Sequence, residues 1–266
     1  MTVLTRELRA SYAFVERNFN LTKRYWGWEV AFMVYSVAGA LAVTLIGLDQ
    51  DSPRLILSLL IGATFWNYLS VVFSVIAEQI SWERWEGTLE YTMMAPVRRV
   101  SQLLGATVFA IMWGLIHMTV VLTVLILFFG IDLSHANIPS AAVLMLIGSL
   151  SIIGIGMMAA TLPLIWVERG DQMVFVIQSL LLLVSGVYYS VTILPQWMQV
   201  IAAFSPVTYI LEGIRLALID GVPITDMGYL LLPLIVMAIV LIPLGVFVFG
   251  WAEKYAKRTG KLKRVG

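Results

Sequence analysis

Residues 55–77 read LILSLLIGATFWNYLSVVFSVIA, a run without one charged side chain. A hydrocarbon core about 30 Å thick is crossed by roughly 20 apolar helical residues, because lipid offers the backbone no hydrogen-bond partners. The run is therefore a membrane span, and the chain on either side repeats the pattern. Similar stretches at 29–48, 103–129, 141–167, 173–193 and 229–251 bring the expected number of spans to six. Composition agrees: of 266 residues 60% are hydrophobic and 12% charged, about half the charge of an ordinary soluble domain. The expected fold class is an all-α integral membrane protein with a single transmembrane domain over 1–266.

The formal net charge is +1, so no basic field points to nucleic acid as a partner. With no cysteine, disulfide frameworks, thiolate metal sites and cysteine nucleophiles drop out. The opening MTVLTRELRASY is interrupted by Arg6, Glu7 and Arg9, which argues against a cleaved signal peptide.

Short cytoplasmic segments retain Lys and Arg, and here alternate connections are very unequal. One side holds Arg6, Arg9, Arg17, Lys23, Arg24, Arg84, Arg98, Arg99, Arg169, Lys254, Lys257, Arg258, Lys261, Lys263 and Arg264, whereas only Arg54 and Arg215 lie opposite. The expectation is a multi-pass protein of the cell membrane with both termini cytoplasmic. Before the first span, Leu4, Leu8, Tyr12, Val15 and Phe19 recur at helical steps while Arg6, Arg9, Glu16 and Arg17 occupy other faces. This leader, residues 1–26, should lie along the inner interface, with Trp26 and Trp28 at headgroup level. A plain surface anchor is an equally economical reading of it.

The second connection, 78–100, is long where its neighbours are short, and length suggests a task. In ISWERWEGTLEYTMMAPVRRVS (80–101), a helix over 81–91 would put Glu83, Glu86 and Glu90 on one face and Trp82, Trp85 and Leu89 on another. Gly87 marks a kink or a close approach, and Pro96 ends the element. The spacings fit a docking surface for another protein and fit equally a solvated charged face. Farther on, 194–222 is broken by Pro195 and Pro206, too interrupted to cross and too apolar to float in water. Two short helices over 196–204 and 206–219 are expected to dip into the outer leaflet, with Glu212 and Arg215 one turn apart and close enough to pair.

The run ERWEGTLEYTMMAP resembles the signature of ABC type-2 transporter permeases, E-R-x-x-G-T-L-E followed by a hydrophobic turn and a small residue before Pro. SPVTYILEGIR at 205–215 resembles the family's S-P-x-x-Y-x-x-E-x-x-R stretch before the last span. With six spans and an amphipathic leader, the resemblance covers essentially the whole chain. It implies that the leader is a connecting helix and that the 78–100 loop carries a coupling helix docking on an ABC ATPase subunit. By position, Trp82, Glu83, Arg84, Glu86, Gly87, Thr88, Leu89 and Glu90 take the coupling role. It further implies that the second and fifth spans face a translocation path. Trp66, Asn67 and Tyr68 in the second span, and Gln178 and Ser179 in the fifth, are the polar or amphipathic interruptions there, and helix contacts are the competing reading for each. The 194–222 element, with Pro206, Tyr209, Glu212 and Arg215, would form an outer gate.

No phosphate-binding loop exists here: Gly260-Lys261 is followed by Leu262, and Tyr255 stands where its first Gly belongs. The chain is thus expected to bind no cofactor, with ATP and Mg on a partner ATPase. Within the spans only Glu29 and His117 are ionisable away from the ends. A proton-coupled carrier usually places more such groups on its path, and a lone His is more often a neutral imidazole bonded to a neighbouring helix. The leading expectation is the permease subunit of an ATP-driven exporter, paired with a second copy or a paralogous permease. Its cargo would be hydrophobic or amphiphilic: a drug, an antibiotic, a lipid or a lipid-linked glycan. A polytopic enzyme on lipid-linked substrates, a carrier and a channel are the alternatives; the enzyme would need converging acids, bases or metal ligands, and neither a catalytic nor a metal site is visible.

Overall fold

The apolar runs fold as helices, and local chemistry sets their ends. A computed structural model describes residues 3–49, 52–131 and 134–261, with no strand among the described residues. In chain order the helices are α1 (Val3–Arg24), α2 (Trp26–Asp49), α3 (Pro53–Ala77), α4 (Gln79–Trp85), α5 (Leu89–Met94) and α6 (Arg99–Phe129). There follow α7 (Ile138–Ala159), α8 (Thr161–Ile165), α9 (Gly170–Val184), α10 (Gln196–Ala203), α11 (Pro206–Ile219) and α12 (Gly228–Arg258). The Ser52 hydroxyl accepts from the backbone N–H of Leu55 to start α3, and the Asn137 side chain accepts from that of Ser140 to start α7. Both helices carry proline in the first turn, where its missing N–H has no intrahelical partner to lose.

Helices α2, α3, α6, α12 and the α7–α8 pair are long and apolar enough to cross a membrane. The middle of the bundle is α3 and α7: 56% and 61% of their span residues are buried, against 17–22% for α2, α6 and α12. Tyr68 of α3 and Ser149 of α7 share a hydrogen bond of 2.7 Å inside this core. Gly154 of α7 and Gly245 of α12 bring those two backbones close, as small residues do where lipid supplies no hydrophobic drive. The leader packs on α6 through Ser11, Phe14 and Phe19, but Leu8 and Tyr12 stay exposed, so its apolar face is divided. The side chain of Leu4, and all of Lys263 and Arg264, lie outside the described residues.

The fifth span is shorter than the sequence reading over 173–193. Helix α9 ends at Val184 and the chain turns at Ser185 and Gly186. Its end meets α3 at Gly62, where any Cβ would collide with the Val187 carbonyl. Gly62 lies nine residues into α3, about 14 Å of helical rise, so α9 stops well inside the bundle. Helices α10 and α11, bent at 85° to one another, occupy the remaining depth, so the two broken helices expected after this span are present. The fourth span likewise breaks between α7 and α8.

Long-range bonds sort the connections onto two ends. At one, Ser101 Oγ donates to Glu7 at 2.5 Å and Arg99 Nε to Glu253 at 2.9 Å. At the other, Arg54 reaches Asp220 at 3.0 Å and the Asn137 N–H donates to the Ala217 carbonyl at 2.8 Å. The first end therefore gathers the start of α1, the 78–100 loop and the end of α12.

Candidate functional site

The 78–100 loop is not one helix. Gly87 adopts φ 73°, a left-handed conformation that a side chain disfavours, and divides α4 from α5. The single acidic face of Glu83, Glu86 and Glu90 is thereby dismantled. Glu83 points inward, with its side chain 1% exposed, and meets Arg17 of α1 at 2.8 Å while accepting from Gln79 and from Gln102 of α6. Arg84 is also buried and donates to the carbonyls of Pro163 at 3.0 Å and Lys261 at 3.1 Å. Desolvation pulls its pKa below the usual guanidinium value, with nearby Asp171 opposing that shift. Glu86 accepts from Tyr25 and pairs with Arg24 at 3.2 Å, and Trp82 and Trp85 gather around the Tyr25 ring. Thr88 bonds back to the Glu83 carbonyl, and Leu89 is buried.

These bonds assign most motif residues to holding the loop in shape. What they leave outward includes Thr88, Glu90, Tyr91 and Met94, the last two 80% and 83% exposed, and much of the Trp85 ring, 57% exposed beside Tyr25. Tyr91 and Met94 were not singled out in the sequence, although both precede Pro96 in the quoted motif.

A cavity of about 570 Å³ lies between α1, α2, α3, α6 and α9. It runs from Glu78 and Glu83, at the loop end, to Val43, Ala63 and Tyr188, where α9 has turned. Along α3 that is roughly 22 Å of helical rise. Asn67, Ser70, Ser74 and Glu78 line it at i, i+3, i+7 and i+11, a polar stripe down one helix face. Of the expected pathway residues, Trp66, Asn67 and Gln178 line the cavity. Tyr68 does not: it faces Ser149 in the core, one helical step away from the stripe. Ser179 is exposed and bonds back to the Phe175 carbonyl.

His117 has an acidic neighbour that sequence distance concealed. Its Nε2 stands 3.8 Å from Glu29 of α2, which also accepts from Trp113 Nε1 at 3.2 Å. The bonded imidazole expected from sequence is not found, since neither ring nitrogen has a hydrogen-bond partner. At the loop end, Glu78 is pushed up to about 7, chiefly by desolvation and further by Asp171, with a Ser74 hydrogen bond opposing the rise.

The outer element is tied down differently from the expected pairing of Glu212 with Arg215. Arg215 donates to the carbonyls of Gly186, at 2.9 Å, and Val187, closing the end of α9, while Glu212 is exposed. Buried Pro206 starts α11, Tyr209 donates to the Ala203 carbonyl at 2.9 Å, and Ser185 and Ser205 share a hydrogen bond. Among the described residues no group of three or more His, Asp or Glu is placed to hold a metal ion.

A bundle of apolar helices around a cavity, with a folded loop at one end and a broken helix pair at the other, makes the chain an all-α membrane protein. Residues 10–219 match the ABC-2 type transporter family model, and the chain belongs to that family. It is accordingly an ABC transporter permease that works with an ABC ATPase subunit. The match ends with the last residue of α11, so α12 lies beyond it. Comparison with curated proteins finds no match.

Proposed function

We propose that the chain is the permease subunit of an ATP-driven exporter in the cell membrane, moving a hydrophobic or amphiphilic substrate outward. The supporting observation is the cavity, which runs from the loop end to the turn that Arg215 closes. The basic residues cluster at the loop end, which makes that end cytoplasmic. The ATPase, carrying ATP and Mg, docks on α5 through Thr88, Glu90, Tyr91 and Met94. The bonded residues of 82–89 transmit its movement to α1, α6 and the end of α12. The apolar faces of α2 and α9 carry exposed Phe32, Tyr35, Phe175 and Leu180 and suit a second permease, identical or paralogous.

The test is transport into inverted membrane vesicles holding the permease and its ATPase, with a fluorescent amphiphile as cargo. Accumulation that requires ATP supports the reading; accumulation driven by a proton gradient without ATP favours a carrier instead, for which the neighbouring Glu29 and His117 are an intramembrane titratable pair.

A further inference from the structure

Buried polar atoms without partners report the chemistry of what normally meets them, since each unmet group costs free energy. Among the described residues lining the cavity these atoms are the amide oxygen of Asn67, the hydroxyl of Ser70 and both ring nitrogens of His117, a residue only 3% exposed, together with Arg17 Nε and the second carboxylate oxygen of Glu83 in the ion pair at the loop end. The Asn67 oxygen accepts only, Ser70 can accept, and a neutral imidazole keeps one acceptor nitrogen. Around Asn67, Ser70 and His117, away from the Arg17–Glu83 pair, they call for a ligand that brings N–H or O–H donors.

The charges narrow the ligand further. Among the described residues lining the cavity, Glu29, Glu78 and Glu83 face one guanidinium, that of Arg17, and Glu83 already holds it at 2.8 Å. Glu29 and Glu78 therefore have no guanidinium or ammonium partner on the cavity wall, and Glu29 has only the His117 ring at 3.8 Å beside its bond from Trp113. Aromatic rings stand beside them: Trp113 donates to Glu29, stacks on Phe109 and meets the His117 edge at 5.3 Å between centroids. Aromatic faces attract ammonium groups and exclude anionic ones. Toward Val43 and Leu182 the lining becomes apolar.

We propose that this cavity recognises amphiphiles with a cationic amine head, the head resting between Glu29, Asn67 and His117 and the apolar tail reaching toward Val43 and Leu182. This names the substrate class of the proposed exporter and rests on that reading. A headgroup carrying several N–H donors meets the acceptors that no protein group meets. A carboxylate or phosphate head would meet Glu29 as a like charge in a poorly solvated space.

The test uses the full permease with its ATPase in lipid nanodiscs and three twelve-carbon probes, each with a photoreactive diazirine in the tail. Their heads are a primary ammonium, a hydroxyl and a carboxylate. The ammonium probe is expected to label α2, α3 or α6 peptides at a concentration about tenfold below the other two, as loss of a charge-assisted hydrogen bond would imply. Glu29→Gln should raise its half-labelling concentration several-fold and leave that of the alcohol unchanged, whereas Asn67→Leu, which removes an acceptor that an O–H can also meet, should raise that of the ammonium probe several-fold and that of the alcohol less. Equal labelling by the three heads, tighter labelling by the carboxylate, or no effect of either substitution overturns the proposal. Should Glu29→Gln fail to assemble, Asn67→Leu on the facing helix decides alone. Retention of the ATPase by the wild-type chain is measured in the same preparation. Its absence removes the exporter reading, whereas its presence with equal labelling removes only the amine specificity.

Discussion

Arg17 of α1 and Glu83 of α4 meet at 2.8 Å, with the Glu83 side chain 1% exposed and that of Arg17 27% exposed. The pair joins the leader to the 78–100 loop, and Gln79 and Gln102 donate to the same carboxylate oxygen that Arg17 meets. An acid in that position is tolerable only while paired, because its charge has left water. Movement of α4 must therefore carry α1 and α6 with it or break several charge-assisted bonds together.

Arg17→Ala should strand Glu83 and destabilise the protein by about 3 kcal/mol, as removal of one buried partner does. Adding Glu83→Gln should recover part of that loss, since the amide keeps its shape without a buried charge. The thermal midpoint of the purified complex measures both, and a single variant as stable as wild type would show that the pair is not needed.

The docking face is expected at Tyr91 and Met94 instead of Glu86. Tyr91→Asp or Met94→Asp should cut ATPase copurification sharply, since central apolar anchors carry much of an interface's energy. Glu86→Lys should instead loosen the leader by placing a cation beside Arg24, with a smaller effect on copurification. Equal retention of the ATPase by the two α5 variants and wild type would displace the docking surface from α5.

The spans and the broken outer pair were legible because both are written locally, one as uncharged length and the other as prolines at Pro195 and Pro206. The Glu83 pairing was not, since Arg17 and Gln102 reach it only through tertiary packing. The early end of α9 is not written locally either: residues 185–193 remain largely apolar, and the turn shows in the left-handed Gly186 and the fit of the Val187 carbonyl against Gly62. The polar stripe from Asn67 to Glu78 was readable from its helical spacing. The consecutive residues Trp66 to Tyr68 cut across it, since Tyr68 faces the core while Ser70, Ser74 and Glu78 continue the stripe.

At the outer end, Arg215→Met should leave the Gly186 and Val187 carbonyls without their charged donor, at a cost of about 2 kcal/mol, and should make transport leaky. Glu212→Ala, at an exposed position, should do much less; Asp51, the acid most naturally compared with it, lies outside the described residues. Transport normalised to membrane expression separates the two, and a larger defect in Glu212→Ala would return the gate role to the acid.

Glu78 gives the protein a pH dependence whose sign follows from its raised pKa. In the unfolded chain the carboxyl titrates near 4.5, whereas in the folded protein it titrates at about 7 because it is desolvated and faces Asp171. Between those values the native state holds a proton that the unfolded state has released. Stability from this group is therefore full below pH 4.5 and is lost as pH rises through 7, by on the order of 3 kcal/mol. The other charged groups of the cavity, Arg17, Glu29 and Glu83, together with His117, stay in place in Glu78→Gln. That variant should keep its thermal midpoint nearly level from pH 5.5 to 8 where the wild type falls. Parallel decline in both proteins would assign the pH dependence to another group.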